Sequence, residues 1–170
     1  GVINLSADSW YRESVCLTTE RAVQRGLTLH AQGAALVDVG AESTLAQAAR
    51  ADDAQQNSKL LPVIRALRAA NILVSVETYR PVVTRACLDA GANVLNLTGG
   101  DRSAEMYRMV ADHNAGVIIC YVQGTNVREV GEFAKEDIVA RREPAAATPA
   151  PPAPANPEAA GAREGGRGRL

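Results

Sequence analysis

Short, almost uninterrupted apolar runs recur along this chain at residues 1–5, 35–39, 73–77, 93–97 and 117–122, with longer stretches of helical spacing between them. Runs of that length and character predict strands buried on both faces of a parallel sheet. The intervening stretches carry readable ends. Thr18 or Thr19 caps a first helix whose buried face takes Val23, Leu27 and Ala31, and Gly33 ends it. Leu60, Val63, Ile64 and Leu67 fall on one stripe of a second helix. Pro81 opens a third over 82–90, stopped by Gly91, and Ser103 caps a fourth that buries Met106, Met109 and Val110. A fainter fifth pattern spans 129–141. Strand, helix, strand repeated in this way predicts an α/β fold with right-handed crossovers and parallel strands. Periodicity does not choose between an open doubly wound sheet and part of a barrel.

Composition changes the picture at one place. From 144 to 157 the chain is almost all Ala and Pro, and from 161 to 170 it is rich in Gly and Arg. Segments without large apolar residues do not offset ordering entropy, so 143–170 is expected to be a disordered, solvated tail and 1–142 the folded domain. A chain of 170 residues is long enough for one such domain and short of the ~250 that a whole eight-unit barrel takes. The opening at Gly1, directly in a strand-like run, leads us to expect residues upstream. Charge is balanced, 18 Lys and Arg against 19 Asp and Glu, so no net field favours nucleic acid or an anionic membrane. Cys16, Cys87 and Cys120 make neither a disulfide framework nor a metal spacing. With no signal-like start and no membrane-length apolar stretch, the expected setting is the cytoplasm.

Ligand groups in parallel α/β folds gather at the C-terminal ends of the strands. The unusual polar residues fall there: Asn4, Ser6, Asp8 and Ser9 after the first run, Glu42, Ser43 and Thr44 after the second, Glu77 and Thr78 after the third. Asn96 and Thr98 follow the fourth, and Gln123, Gly124 and Thr125 the fifth. If the strands curve into a barrel wall, these residues form one polar mouth. Trp10 and Tyr11 either cover a ring there or pack on the surface. His30 and His113 sit near helix ends without a second ligand, Cys87 and Cys120 read as core, and no phosphate-binding Walker or G-x-G-x-x-G loop occurs.

The segment 1–10, GVINLSADSW, resembles the opening signature of dihydropteroate synthases, and 38–44, DVGAEST, resembles their second. Ser75-Val76-Glu77-Thr78, Asn96 with Gly99 and Gly100, and Val122-Gln123-Gly124-Thr125 are similar to the third, fourth and fifth strand-end motifs, in the family's order. The resemblance implies part of a TIM-type (β/α)8 barrel of about five parallel βα units. It also implies condensation of 6-hydroxymethyl-7,8-dihydropterin pyrophosphate with p-aminobenzoate, with help from Mg²⁺. By the same resemblance Asn4 matches the asparagine near the metal, Asp8 the loop aspartate that orders over substrate, and Thr44 a residue of the second loop. Glu77 aligns with the pterin-binding aspartate and Asn96 with a second pterin-reading residue.

Several positions depart from the pattern. Leu45 stands where the family has arginine, Leu97 where it has aspartate, and Ala7 where it has proline. The family's later Asp, its Lys in a glycine-rich loop and its Arg-x-His have no match after Arg142, and Lys135 reads as a surface residue. The expectations are therefore a shortened family member, or one completed by a second copy or another polypeptide. A binder of pterin or folate without turnover, or an inactive remnant, is the alternative. A pterin-fold methyltransferase domain fits the Ser-x-Asp-Ser signature less well.

Overall fold

A computed structural model of the chain describes residues 1–99, 104–120 and 126–128. Gly100, the Ser103 cap, the end of the fifth apolar run with Gln123 to Thr125, the pattern at 129–141 with Lys135, and the tail from 143 lie outside the described residues. The elements are β1 (Val2–Asn4), a 3₁₀ turn (Arg12–Ser14), α1 (Thr19–Ala31), β2 (Val37–Gly40), α2 (Asp53–Ala69) and β3 (Val74–Thr78). They continue as α3 (Pro81–Asp89), β4 (Val94–Leu97), α4 (Ala104–Asp112) and β5 (Gly116–Ile119).

The five strands form one parallel sheet in the order β1-β2-β3-β4-β5. Each strand lies beside its predecessor, so every right-handed crossover moves the same way and leaves its helix on the same face. In keeping with that, α1 packs on α2, α2 on α3 and α3 on α4 in a single layer. A doubly wound sheet reverses its strand order and carries helices on both faces. The unreversed order decides for a barrel wall, five consecutive βα units of it.

Register then sorts the side chains. Ile3, Val39, Val76 and Leu95 align across β1 to β4 and are fully buried, facing the helix layer. From the helices, Leu60, Val63, Ile64 and Leu67 meet them, all fully buried, as the spacing predicts. Each such side chain contributes about 1.5–3 kcal/mol by leaving water. The helix ends also follow the sequence. Thr18 caps α1 by accepting from the Arg21 N–H at 3.3 Å. Asp52 and Gln55 form a reciprocal capping box on α2. Gly33 and Gly91 take left-handed φ values of 96° and 100° after α1 and α3. In α4, Met106, Met109 and Val110 are buried.

The face of α1 differs from the expected one. Its buried residues are Ala22 and Gly26, while Leu27 is 40% exposed and Ala31 exposed. The cause is a close approach to α2: a Cβ on Gly26 would lie 2.5 Å from Leu67 Cδ2. The contact selects the smallest residues of α1 and turns Leu27 outward. At the sheet's two outer strands, Val2, Ile118 and Ile119 are exposed. Among the described residues no helix is long and apolar enough to cross a membrane.

Candidate functional site

Opposite the helix layer the sheet presents a polar row. Asn4, Gly40, Glu77 and Asn96 align in register, and one level below them Asp38 pairs with Ser75. Aligned residues of neighbouring parallel strands point to the same side, so Asn4, Glu77 and Asn96 are brought together as expected. Gly40 makes the convergence possible. A Cβ there would sit 2.8 Å from Glu77 Oε2 and 3.6 Å from Asn4 Oδ1, so the carboxyl and the amide oxygen both occupy the space above Gly40.

Asn96 is held at both ends. Its Nδ2 donates to Asp38 Oδ2 at 3.2 Å, and its Oδ1 accepts from Cys120 Sγ at 3.4 Å. Cys120 is thus a rim residue and not the core position expected, because β5 ends at the mouth on an outer strand; Cys87 is core, at 0% exposure. Asp38 was not singled out from the sequence, although a carboxylate inside an otherwise apolar strand run was a usable signal. Its Oδ1 is buried without a hydrogen-bond partner. Burial first, then the negative neighbours Asp38 and Glu42, push the Glu77 carboxyl up to about 7.

The orientation of Asn4 follows from its loop. Ser14 Oγ donates its one proton to the Tyr11 carbonyl at 2.6 Å, so toward Asn4 it acts only as an acceptor, taking Nδ2 at 2.5 Å. That fixes Nδ2 away from the mouth and leaves Oδ1 on the Glu77 side. A hard cation accepts such an amide oxygen, and Mg²⁺ in particular uses one or two protein ligands and completes its shell with water and substrate phosphates. The described residues contain no cluster of three or more His, Cys, Asp and Glu fit for a metal.

Thr44 and Ser43 border the same cleft as Asn4, Trp10, Tyr11 and Glu77, a space of about 200 Å³. Trp10 is 76% exposed at its edge. The cleft's described lining includes no Lys or Arg. Asp8 is placed differently: its side chain is exposed and borders a neighbouring cleft with Ser6 and Lys59, and only its backbone oxygen reaches the rim, accepting from Ser43 Oγ at 3.2 Å.

Beneath the rim, Glu42 gathers three loops. Its carboxylate accepts from Tyr79 Oη at 2.7 Å and the Ala51 N–H at 3.0 Å, and lies 3.3 Å from Arg128 Nη1 and 4.0 Å from Arg80 Nη2. Arg80, which could have paired with Glu77, reaches Asp53 at 2.7 Å instead.

The family model for pterin binding enzymes matches residues 1–148. This chain belongs to the pterin binding enzyme family. Within it the chain is 34% identical over 150 residues to the dihydropteroate synthase of Mycobacterium leprae, covering 82% of this chain and 53% of that protein. Among solved structures, Burkholderia cenocepacia dihydropteroate synthase complexed with 7,8-dihydropteroate superposes with a TM-score of 0.68 at 30% identity, over 83% of this chain and 47% of that one. Xanthomonas albilineans dihydropteroate synthase with 4-aminobenzoic acid gives 0.63 at 34% identity, over 73% and 46%. The chain spans about half the length of these relatives. The pterin binding enzymes it matches here are TIM barrels, in agreement with the wall of parallel strands.

Proposed function

We propose that the row of Asn4, Glu77 and Asn96 reads a reduced pterin and that the chain takes part in dihydropteroate synthesis. The observation that carries this is the convergence of Glu77 Oε2 and Asn4 Oδ1 over Gly40, one strand away from the Asn96 amide. A carboxyl and an amide side by side match the donors and acceptors on the edge of a pterin ring. The Burkholderia and Xanthomonas proteins, which hold 7,8-dihydropteroate and 4-aminobenzoic acid, support the same substrate class.

In this reading the amine of p-aminobenzoate attacks the exocyclic carbon of 6-hydroxymethyl-7,8-dihydropterin pyrophosphate. A C–N bond forms, the C–O bond to pyrophosphate breaks, and the amine releases a proton. Thr44 acts from the second loop beside the reacting groups; Asp8, whose side chain borders the neighbouring cleft, takes part through the first loop, which the family resemblance implies orders over substrate. Asn4 Oδ1 would hold Mg²⁺, which when bound neutralises charge on the leaving pyrophosphate. The unpaired Cys16, Cys87 and Cys120 agree with a cytoplasmic setting. A second copy, or a polypeptide carrying further barrel units, covers the exposed Val2, Ile118 and Ile119; light scattering that finds a well-behaved monomer argues against this.

Calorimetric titration with 7,8-dihydropteroate, with Glu77→Ala and Asn96→Ala as controls, tests the binding step. A coupled pyrophosphate-release assay with both substrates and Mg²⁺ tests turnover. Absence of pterin binding sinks the reading. Binding without pyrophosphate release points to a non-catalytic pterin or folate binder, a second reading favoured by the lack of Lys and Arg in the cleft's described lining.

A further inference from the structure

Arg128 is the most enclosed charge among the described residues, its side chain 1% exposed. It comes from the segment after β5, which is tied to the β4 end: Gly99 and Asn126 form a bridge, and the Val127 N–H donates to the Thr98 carbonyl at 2.9 Å. From there the guanidinium crosses to the β2 end. Nη2 donates to the carbonyls of Ala46, at 3.4 Å, and Ala48, and Nη1 lies 3.3 Å from Glu42 Oε1. Glu42 in turn accepts from Tyr79 at the β3 end and from the Ala51 N–H at the start of α2. One carboxylate and one guanidinium thus join the ends of β2 and β3 to the segment that follows β5, which is itself bonded through its backbone to the β4 end. A planar guanidinium with several directed donors suits this bridging, and an ammonium does not reproduce it.

The loop so held, residues 43–51, contains Thr44 and borders the Glu77 cleft. A charge pair this enclosed is weak evidence for stability, since desolvation offsets most of its attraction, but it does select one arrangement of the groups around it. We infer that Arg128 is a positioning residue: acting through Glu42 and the Ala46 and Ala48 carbonyls, it fixes the second rim loop so that Thr44 faces Glu77 when ligand binds. This rests on the pterin-site reading for its ligand but not for the clamp itself.

The full chain carrying Arg128→Met, Arg128→Lys or Tyr79→Phe is compared with the unaltered chain by amide hydrogen exchange and by titration with 7,8-dihydropteroate. In Arg128→Met, exchange at Ala48 and Ala51 rises at least about tenfold, the scale of one charge-assisted hydrogen bond lost, while Val39 and Val76 in the sheet keep their protection. The affinity for 7,8-dihydropteroate falls by a similar factor. Arg128→Lys recovers part of both effects, and Tyr79→Phe gives a smaller, equally local change.

Unaltered exchange at Ala48 and Ala51 in a folded Arg128→Met overturns the inference. So does a loss of protection spread evenly over sheet and loop, which marks a purely structural charge. If Arg128→Met does not fold, Arg128→Lys and Tyr79→Phe decide by the same local-against-global comparison. If the unaltered chain does not bind 7,8-dihydropteroate, the functional reading fails while the exchange measurements still decide the clamp.

Discussion

Gly40→Ala is the sharpest perturbation the site allows, because it adds one methyl group and changes no charge. The backbone tolerates it, since Gly40 is not among the positive-φ residues. The new Cβ lies 2.8 Å from Glu77 Oε2, and ordinary contact begins near 3.4 Å. The carboxyl must therefore retreat by about 0.6 Å, the difference between those two figures. Its oxygen is the far end of a flexible side chain, so the retreat is cheap, and replacing glycine by alanine where the backbone allows it recovers ~0.4–1 kcal/mol through the unfolded chain. Stability in urea should stay within about 1 kcal/mol of the parent. Binding should not, because a charge-assisted hydrogen bond is worth ~1.5–3 kcal/mol and depends steeply on geometry. Losing about half of one such bond weakens 7,8-dihydropteroate roughly tenfold or somewhat less by calorimetry. Unchanged affinity in a folded Gly40→Ala refutes the claim that Glu77 touches the ligand, and a loss of several kcal/mol in stability refutes the claim that only the carboxyl yields.

Three further outcomes follow from the same geometry. Glu77 holds its proton to about pH 7 in the folded chain against an ordinary value of 4.5, so between those values the folded state binds more protons than the unfolded one. The stabilisation is present below about pH 4.5 and fades as pH rises through 7, and a urea-midpoint profile should flatten across that window in Glu77→Gln; an unchanged slope contradicts it. Gly26→Ala places its Cβ 2.5 Å from Leu67 Cδ2, and thermal unfolding should show a loss of ~1–3 kcal/mol from overpacking despite alanine's better helix propensity. His113, which bonds Asp89 Oδ1 at 2.9 Å and the Met109 carbonyl at 2.7 Å, titrates above the usual imidazole value. Its NMR titration should move back down in Asp89→Asn.

The buried face of α2 was legible in the sequence because its stripe is local, while its Asp52–Gln55 capping box, equally local, went unread. Strand positions were legible for the same reason, as each is a short apolar run. Strand order was not, since pairing joins residues dozens of positions apart and periodicity is silent on it; the ordered strand-end motifs supplied what spacing lacked. The face of α1 was misread because a helix wheel counts apolar area, while the packing with Leu67 selects for absence of a side chain at Gly26. Asn4, Glu77 and Asn96 could be picked out as strand-end polar residues, whereas the Glu42–Arg128 pair links positions no local rule connects.

Two departures from the family pattern carry different weight once their surroundings are known. Leu97 is 2% exposed and aligned with Thr78 and Ile119, one residue out of phase with the polar row, so its side chain belongs to packing and not to the mouth. Leu45 matters more. By the family resemblance it stands in place of an arginine, and the two arginines beside Glu42, Arg80 and Arg128, are already engaged by that carboxylate and by Asp53. What lines the cleft is Glu42, already paired with Arg128 and Arg80, and Glu77, whose carboxylate when ionised repels a bare pyrophosphate. A neutral pterin meets no such repulsion. For this chain the preference between a pterin and its pyrophosphate ester should therefore depend on the divalent cation that accompanies the ester, and screening by added salt should narrow the gap in its absence.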